Sequence, residues 1–281
     1  MKDSRGERTI LWISFGIFAL YAASLIFPFI WMLLNSFKTN PEFFANVWSF
    51  PEKWLFSNYS QAFQQKVKGF NLAGMFANSM FIVLVATVLS LSMSSMPAYV
   101  IAKYRFPLRK AIYMISIIVI LVPSVGSLAA TFRLLKSLGL YNRYIGIFLM
   151  YSGGFGFSFI LLYGYFQNIS WSYAEAAFID GAGDFKTFAL IMIPQAAPAI
   201  GALAVIQSIG FWNDYFTPYM FLPRYPTIAV GLNELVGKMT YASNWPVLFA
   251  VMILSIIPII VVFIAFQKTI MENTVAGGLK G

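Results

Sequence analysis

The chain has 281 residues, 59% hydrophobic and 10% charged, with a mean hydropathy of +0.74 and a net charge of +9. A soluble domain carries about 25% charged residues, so lipid is the implied solvent. The chain has no His and no Cys. It therefore lacks the commonest general base, the commonest metal ligand and any thiol, so substrate chemistry and a metal centre are both disfavoured. Its Lys and Arg residues are scattered rather than gathered into a stripe, which argues against nucleic acid and for membrane-flanking positions.

A helix needs about 20 apolar residues to cross the hydrocarbon core. Cutting the chain at its charges leaves six stretches long enough, Ile10–Phe37, Gly69–Ala102, Ala111–Phe132, Tyr144–Ala174, Thr187–Asn213 and Met239–Gln267. They predict spans near residues 10–34, 77–102, 111–130, 144–167, 187–211 and 246–267. Nothing alternates like a barrel strand, so the spans are helices. The first follows Lys2, Arg5 and Arg8 and runs past "YAAS" (21–24), longer than a signal-peptide core, which predicts an uncleaved anchor. An inward N-terminus divides Lys and Arg almost evenly, but places the short loop "KYRFPLRK" (103–110) inside.

In the second span Ala86, Ser90, Ser94 and Ala98 recur every four residues, a spacing that lets helix backbones approach closely. Ordinary packing within a bundle is the reading of that face. Pro97, Pro123, Pro194, Pro198 and Pro258 are expected to kink or end helices. In "SGGFGFS" (152–158) the glycines predict a thinned or broken fourth helix, since no strand precedes them and the dinucleotide spacing is missing. No predicted span contains Asp, Glu, Lys or Arg, so no proton relay is visible, although sodium coupling through carbonyl oxygens stays open. Energy for uphill transport then comes from another chain.

Between the fourth and fifth spans lies "WSYAEAAFIDGAGDFKT" (171–187), with Glu175, Asp180, Asp184 and Lys186. At the bilayer centre each Asp or Lys would cost about 2.5–3.5 kcal/mol, so this segment lies outside the hydrocarbon. "GAGDFKT" is not a phosphate loop, because Phe185 rather than Gly precedes Lys186. The alanines predict a short helix with Glu175 near its positive end. Gly181 and Gly183 predict a turn with positive φ, followed by a helix kinked at Pro194. Tyr173, Ala174, Ala177 and Phe178 share one broad side. The segment reads either as a helix held in a protein groove or as a solvated connection.

These residues resemble a known family. Glu175-Ala176-Ala177, three residues, Gly181, nine residues, then Ile191-Met192-Ile193-Pro194 is similar to the E-A-A-x3-G-x9-I-x-L-P loop of ABC importer permeases. Only Ile193 departs from it, standing for Leu. Further stretches resemble maltose-type carbohydrate importers over nearly the whole chain: "LLNSFKTNPEFFANV" (33–47), "LLKSLGLYNRYIGIFLMY" (134–151), "FWNDYFTPYMFL" (211–222) and the tail "VAGGLKG" (275–281). In the tail, Val275 and Asn273 stand where that family has Thr and Gly.

The resemblance implies an all-α integral membrane protein of six transmembrane helices, the type I ABC importer permease fold, as one permease domain over 1–281. The loop 171–186 would be a cytoplasmic coupling helix, docking on the ATPase through Tyr173, Glu175, Ala176, Ala177, Asp180, Gly181 and Gly183. The cytoplasmic tail, 268–281, would touch the ATPase through Gly277, Gly278 and Lys280. No catalytic residue and no cofactor are expected in this chain, with ATP and Mg bound by the partner. The implied partners are a second permease, an ATP-binding dimer, an extracytoplasmic sugar-binding protein, membrane lipid and a carbohydrate. The implied location is a bacterial or archaeal cell membrane, with both termini cytoplasmic. Asn78, Tyr151, Phe155, Trp212 and Asn213 qualify by type as residues of a sugar pathway. The rival reading is a self-sufficient secondary carrier or channel, although no internal repeat supports it.

Overall fold

The computed structural model describes residues 5–121, 124–242 and 244–276. Its helices are α1 (Arg5–Ser36), α2 (Asn40–Ala45), α3 (Ser57–Gln64), α4 (Leu72–Lys103), α5 (Arg109–Leu121), α6 (Leu128–Ser137), α7 (Tyr144–Tyr151) and α8 (Phe157–Asn168). They continue with α9 (Ser172–Ile179), α10 (Asp184–Thr187), α11 (Ile193–Gln195), α12 (Ala197–Asn213), α13 (Phe216–Phe221), α14 (Ile228–Ala242) and α15 (Trp245–Ala276). Two-residue strands, Lys66–Val67 and Phe70–Asn71, flank a turn at Lys68 and Gly69.

Arg8–Ser36, Leu72–Lys103 and Trp245–Lys268 are, among the described residues, long and apolar enough to span a membrane unbroken. Asp184–Gln195 and Ala197–Asn213, bent by 77°, pass as a broken fourth span. The stretch expected to span over 144–167 carries two helices, α7 and α8, with the break that its glycines predict. The glycines cause this, because Gly156 at φ 144 takes a conformation that L side chains rarely adopt. The stretch expected over 111–130 carries α5, a tight turn at Ser124–Ser127 and the start of α6. Pro97 and Pro258 lie inside α4 and α15, while Pro123 falls outside the described residues.

Contacts build the chain as two compact units, Met1–Val67 with Leu232–Ile257 and Lys68–Gly231 with Pro258–Gly281. In the first, Thr39 and Glu42 form a capping box that starts α2. Trp31 and Phe43 both pack edge-on against Phe249, at 5.4 and 5.5 Å. Lys38 is fully buried, and its ammonium donates to Asn46 O at 2.9 Å and Ser49 Oγ at 3.3 Å. Burial lowers its pKa, and Glu42 opposes that.

Asn58 Nδ2 donates to Ser36 O and Lys38 O at 2.9 and 2.8 Å, satisfying carbonyls that the end of α1 leaves open. Asn58→Ala strands both carbonyls in a buried site. A loss of about 2–4 kcal/mol is expected, read as a lower melting temperature of the purified protein.

In the second unit α4 is the central element, capped at its start by Asn71 Oδ1 accepting from Gly74 N at 2.9 Å. Its small-residue face is buried as expected, with Ala86, Ser90, Ser94 and Ala98 all inside. α4 packs most extensively against α8 and then α12. Tyr99, Phe159, Leu162, Phe166, Phe188, Met192 and Leu203 form the core at its later half. That core seats the loop after α8.

Candidate functional site

The acidic segment folds as a helix that rests on the second unit along one side only. Trp171 leads it, with Trp171 O accepting from Ala174 N and Glu175 N at 2.9 and 3.1 Å. Ala174 is 0% exposed and Ala177 is buried, while Trp171 and Phe178 are half-buried with ring centroids 5.9 Å apart. Glu175, Ala176 and Asp180 are exposed, and so are Tyr173 at 48% and Ile179 at 86%. Tyr173 thus leaves the side that the helical wheel shares between it and Ala174, because only the arc from Ala174 through Ala177 to Phe178 meets the core. Glu175 lies in the first turn, where the helix dipole favours a carboxylate.

The helix ends on a two-bond glycine cap. Gly181 N donates to Phe178 O at 3.0 Å and Ala182 N to Ala177 O at 2.9 Å, with Gly181 at φ 79. Gly183 differs from expectation, since its φ of −79 and ψ of 169 are ordinary extended backbone. It serves as the N-cap of α10, its carbonyl accepting from Thr187 N at 2.9 Å. One glycine therefore makes the turn and the other only starts the next helix.

After α10 the chain runs through a wide helical turn at Phe188–Met192, then α11, and breaks at Ala196 into α12. The break follows Pro194 and precedes Pro198, so proline sits on both sides of it. Phe185 is 72% exposed, its ring 6.5 Å from that of Phe188. Tyr173, Ile179 and Phe185 are thus exposed apolar side chains in a segment that also exposes Glu175, Asp180, Asp184 and Lys186.

The loop is tied to the end of α4. Tyr104 Oη donates to Asp184 Oδ1 at 2.6 Å, and its ring lies edge-on to Trp171 at 5.6 Å. Burial, and then the hydrogen bonds to Asp184 and Tyr99, raise the Tyr104 pKa above its ordinary value, so the hydroxyl stays a donor. Sequence reading missed this pair, because 80 residues separate the partners and no helical or motif spacing links them.

Of the five pathway residues, Asn78, Tyr151 and Asn213 make side-chain hydrogen bonds, and Phe155 and Trp212 pack against neighbouring rings. Asn78 Oδ1 accepts from Tyr144 Oη, and its Nδ2 donates to Pro226 O, both at 3.1 Å. Tyr151 lies near the end of α12, its ring 4.5 Å from Phe211 and its hydroxyl donating to Asp214 Oδ2 at 2.8 Å. Asp214 Oδ1 accepts from Thr217 N at 3.0 Å and so also starts α13. Trp212 is buried against Phe76 at 5.8 Å. Asn213 is exposed, with Nδ2 donating to Ile209 O at 2.9 Å, and Phe155 is 42% exposed beside Phe159. Asn78 and Tyr151 thus belong to separate hydrogen-bonded groups. Gly277, Gly278 and Lys280 lie outside the described residues.

Residues 94–272 match the family described as binding-protein-dependent transport system inner membrane component. The chain belongs to that family, and it is an integral membrane protein with the ABC importer permease fold. It is 29% identical over 274 residues to the diacetylchitobiose uptake system permease protein NgcG of Streptomyces coelicolor, covering 96% of this chain and 89% of the relative. It is also 29% identical over 265 residues to the trehalose/maltose transport system permease protein MalG of Thermococcus litoralis, covering 93% and 94%. A chain of a bacterial ABC transporter involved in the import of the acidic polysaccharide alginate superposes with a TM-score of 0.81. That chain is 25% identical, and the match covers 95% of this chain and 99% of that one.

Proposed function

We propose that the chain is the transmembrane subunit of an ATP-driven carbohydrate importer, forming half of the translocation pathway. The observation that carries this reading is the glycine-capped helix at Ser172–Ile179, exposed along one side and built from the family's Glu-Ala-Ala-x3-Gly motif. A short helix with an apolar outer group and acidic neighbours suits a groove on a partner protein. Tyr173, Glu175, Ala176, Asp180 and Gly181 present it, and Ala174 and Ala177 seat it. The partner binds ATP and Mg, and its closure pushes on this helix to move the spans between outward- and inward-facing states. Both termini are cytoplasmic, and Gly277, Gly278 and Lys280 reach the same ATPase. A second permease and an extracytoplasmic binding protein complete the assembly. Carbohydrate is the cargo class because relatives carry diacetylchitobiose and trehalose/maltose in their names.

Purification of the tagged chain in mild detergent tests this assembly. An ATPase and a second hydrophobic subunit should co-purify, and Glu175→Lys should lower ATPase recovery at least ten-fold by reversing the charge at the docking face. Solute transport by the purified chain alone would establish a secondary carrier instead.

A further inference from the structure

The end of α4 reaches both sides of the exposed helix. On the side where the chain enters it, Lys103 Nζ donates to Gln167 O at 3.5 Å and also to Ile169 O. A Lys at that position satisfies carbonyls at the closing turn of α8 and complements its negative end. On the side where the chain leaves, the next residue, Tyr104, holds Asp184, the first residue of α10, at 2.6 Å. The ring of Tyr104 bridges the two sides, since it packs edge-on to Trp171, whose carbonyl starts α9. Tyr99, about one turn earlier, packs edge-on against Phe166 at 5.6 Å and tilted against Phe188 at 5.1 Å, repeating the grip one layer deeper.

A helix of eight residues resting on Ala174 and Ala177 has little area of its own with which to transmit force. The paired attachments supply what those alanines lack. They fix the segment's entry and exit to one helix, α4, which also packs along α8 and α12.

We propose that Lys103, Tyr104 and Asp184 form a latch that makes the coupling helix and α4 move as one body, with Tyr104 and Asp184 as positioning residues for coupling. The inference rests on the docking role proposed above. Tyr104→Phe removes the hydroxyl and keeps the ring on Trp171, while Asp184→Asn removes the charge that strengthens the bond.

The chain has no native Cys, so spin labels at Arg105→Cys and Ser172→Cys, both exposed and outside the proposed docking residues, report the distance across the latch. In the assembled complex this distance is expected to be narrowly distributed, and the same with and without Mg-ATP. Tyr104→Phe or Asp184→Asn should broaden the distribution at least two-fold. The double variant should be no broader than the worse single one, because both changes act on the same bond. A distribution left unchanged by both single variants, or one that Mg-ATP shifts in the parent complex, overturns the latch. The docking reading fails separately: Glu175→Lys would then leave ATPase co-purification intact, whatever the width of the distribution.

Discussion

Gly181→Pro is expected to cut ATPase co-purification and Mg-ATP-driven uptake to under a tenth of the parent level. Gly181 sits at φ 79, whereas proline is locked near −65°, so the ring cannot occupy the turn. Proline also removes the N–H that donates to Phe178 O, one of the two bonds closing the cap. The exposed helix would lose its end, and Asp184 would be displaced from Tyr104. A graded series separates geometry from general damage. Gly181→Ala keeps the N–H and has open space for its Cβ, so its cost is the left-handed backbone alone, about 1–2 kcal/mol. Gly183→Ala also has open space and sits at ordinary φ, so it should behave like the parent. Equal loss in all three variants would show that glycine conformation at position 181 is not what the docking helix needs.

What the sequence made legible is what local chemistry determines. The four-residue repeat of Ala86, Ser90, Ser94 and Ala98 could be read because a face with no bulk is useful only where another helix meets it, and that face is buried. The glycines at 153–156 announced a break because no helix interior favours such a run, and α7 ends at Tyr151. The docking segment could be placed by charge cost and by motif. Gly183 was misread because both glycines flank Ala182, and only the hydrogen bonds show which one closes the cap.

Asn78, an amide in an apolar stretch, invited a ligand reading. Its partners, Tyr144 and the carbonyl of Pro226, come from segments whose approach no periodicity encodes. Tyr104 and Asp184 are the same case at the site itself. The elements were legible, and the ties between elements were not.

The break between α7 and α8 leads to the second large effect, Gly154→Val. A Cβ built on Gly154 falls 2.7 Å from Met93 O, a backbone atom of α4 that cannot turn aside as a flexible side chain would. Met93 lies four residues before Pro97, and proline supplies no N–H to that carbonyl. Gly154 thus sits where the α4 ladder is open. Its Cα–H, directed where a Cβ would lie, faces the carbonyl that proline leaves without its helical donor. The break in one helix and the proline in the other are complementary, and neither accounts for the contact alone. Val at 154 must push the two backbones apart, at an overpacking cost of about 1–3 kcal/mol or more. The expected result is a several-fold lower yield of assembled complex and a lower melting temperature. Gly153→Val is the control, since its Cβ meets nothing within 4 Å and its φ is not positive. Gly154→Val in a background of Pro97→Ala should not recover, because the restored N–H leaves the carbonyl where it is and the steric clash remains. Full recovery there would show that Pro97, rather than the approach of Gly154, sets the sensitivity.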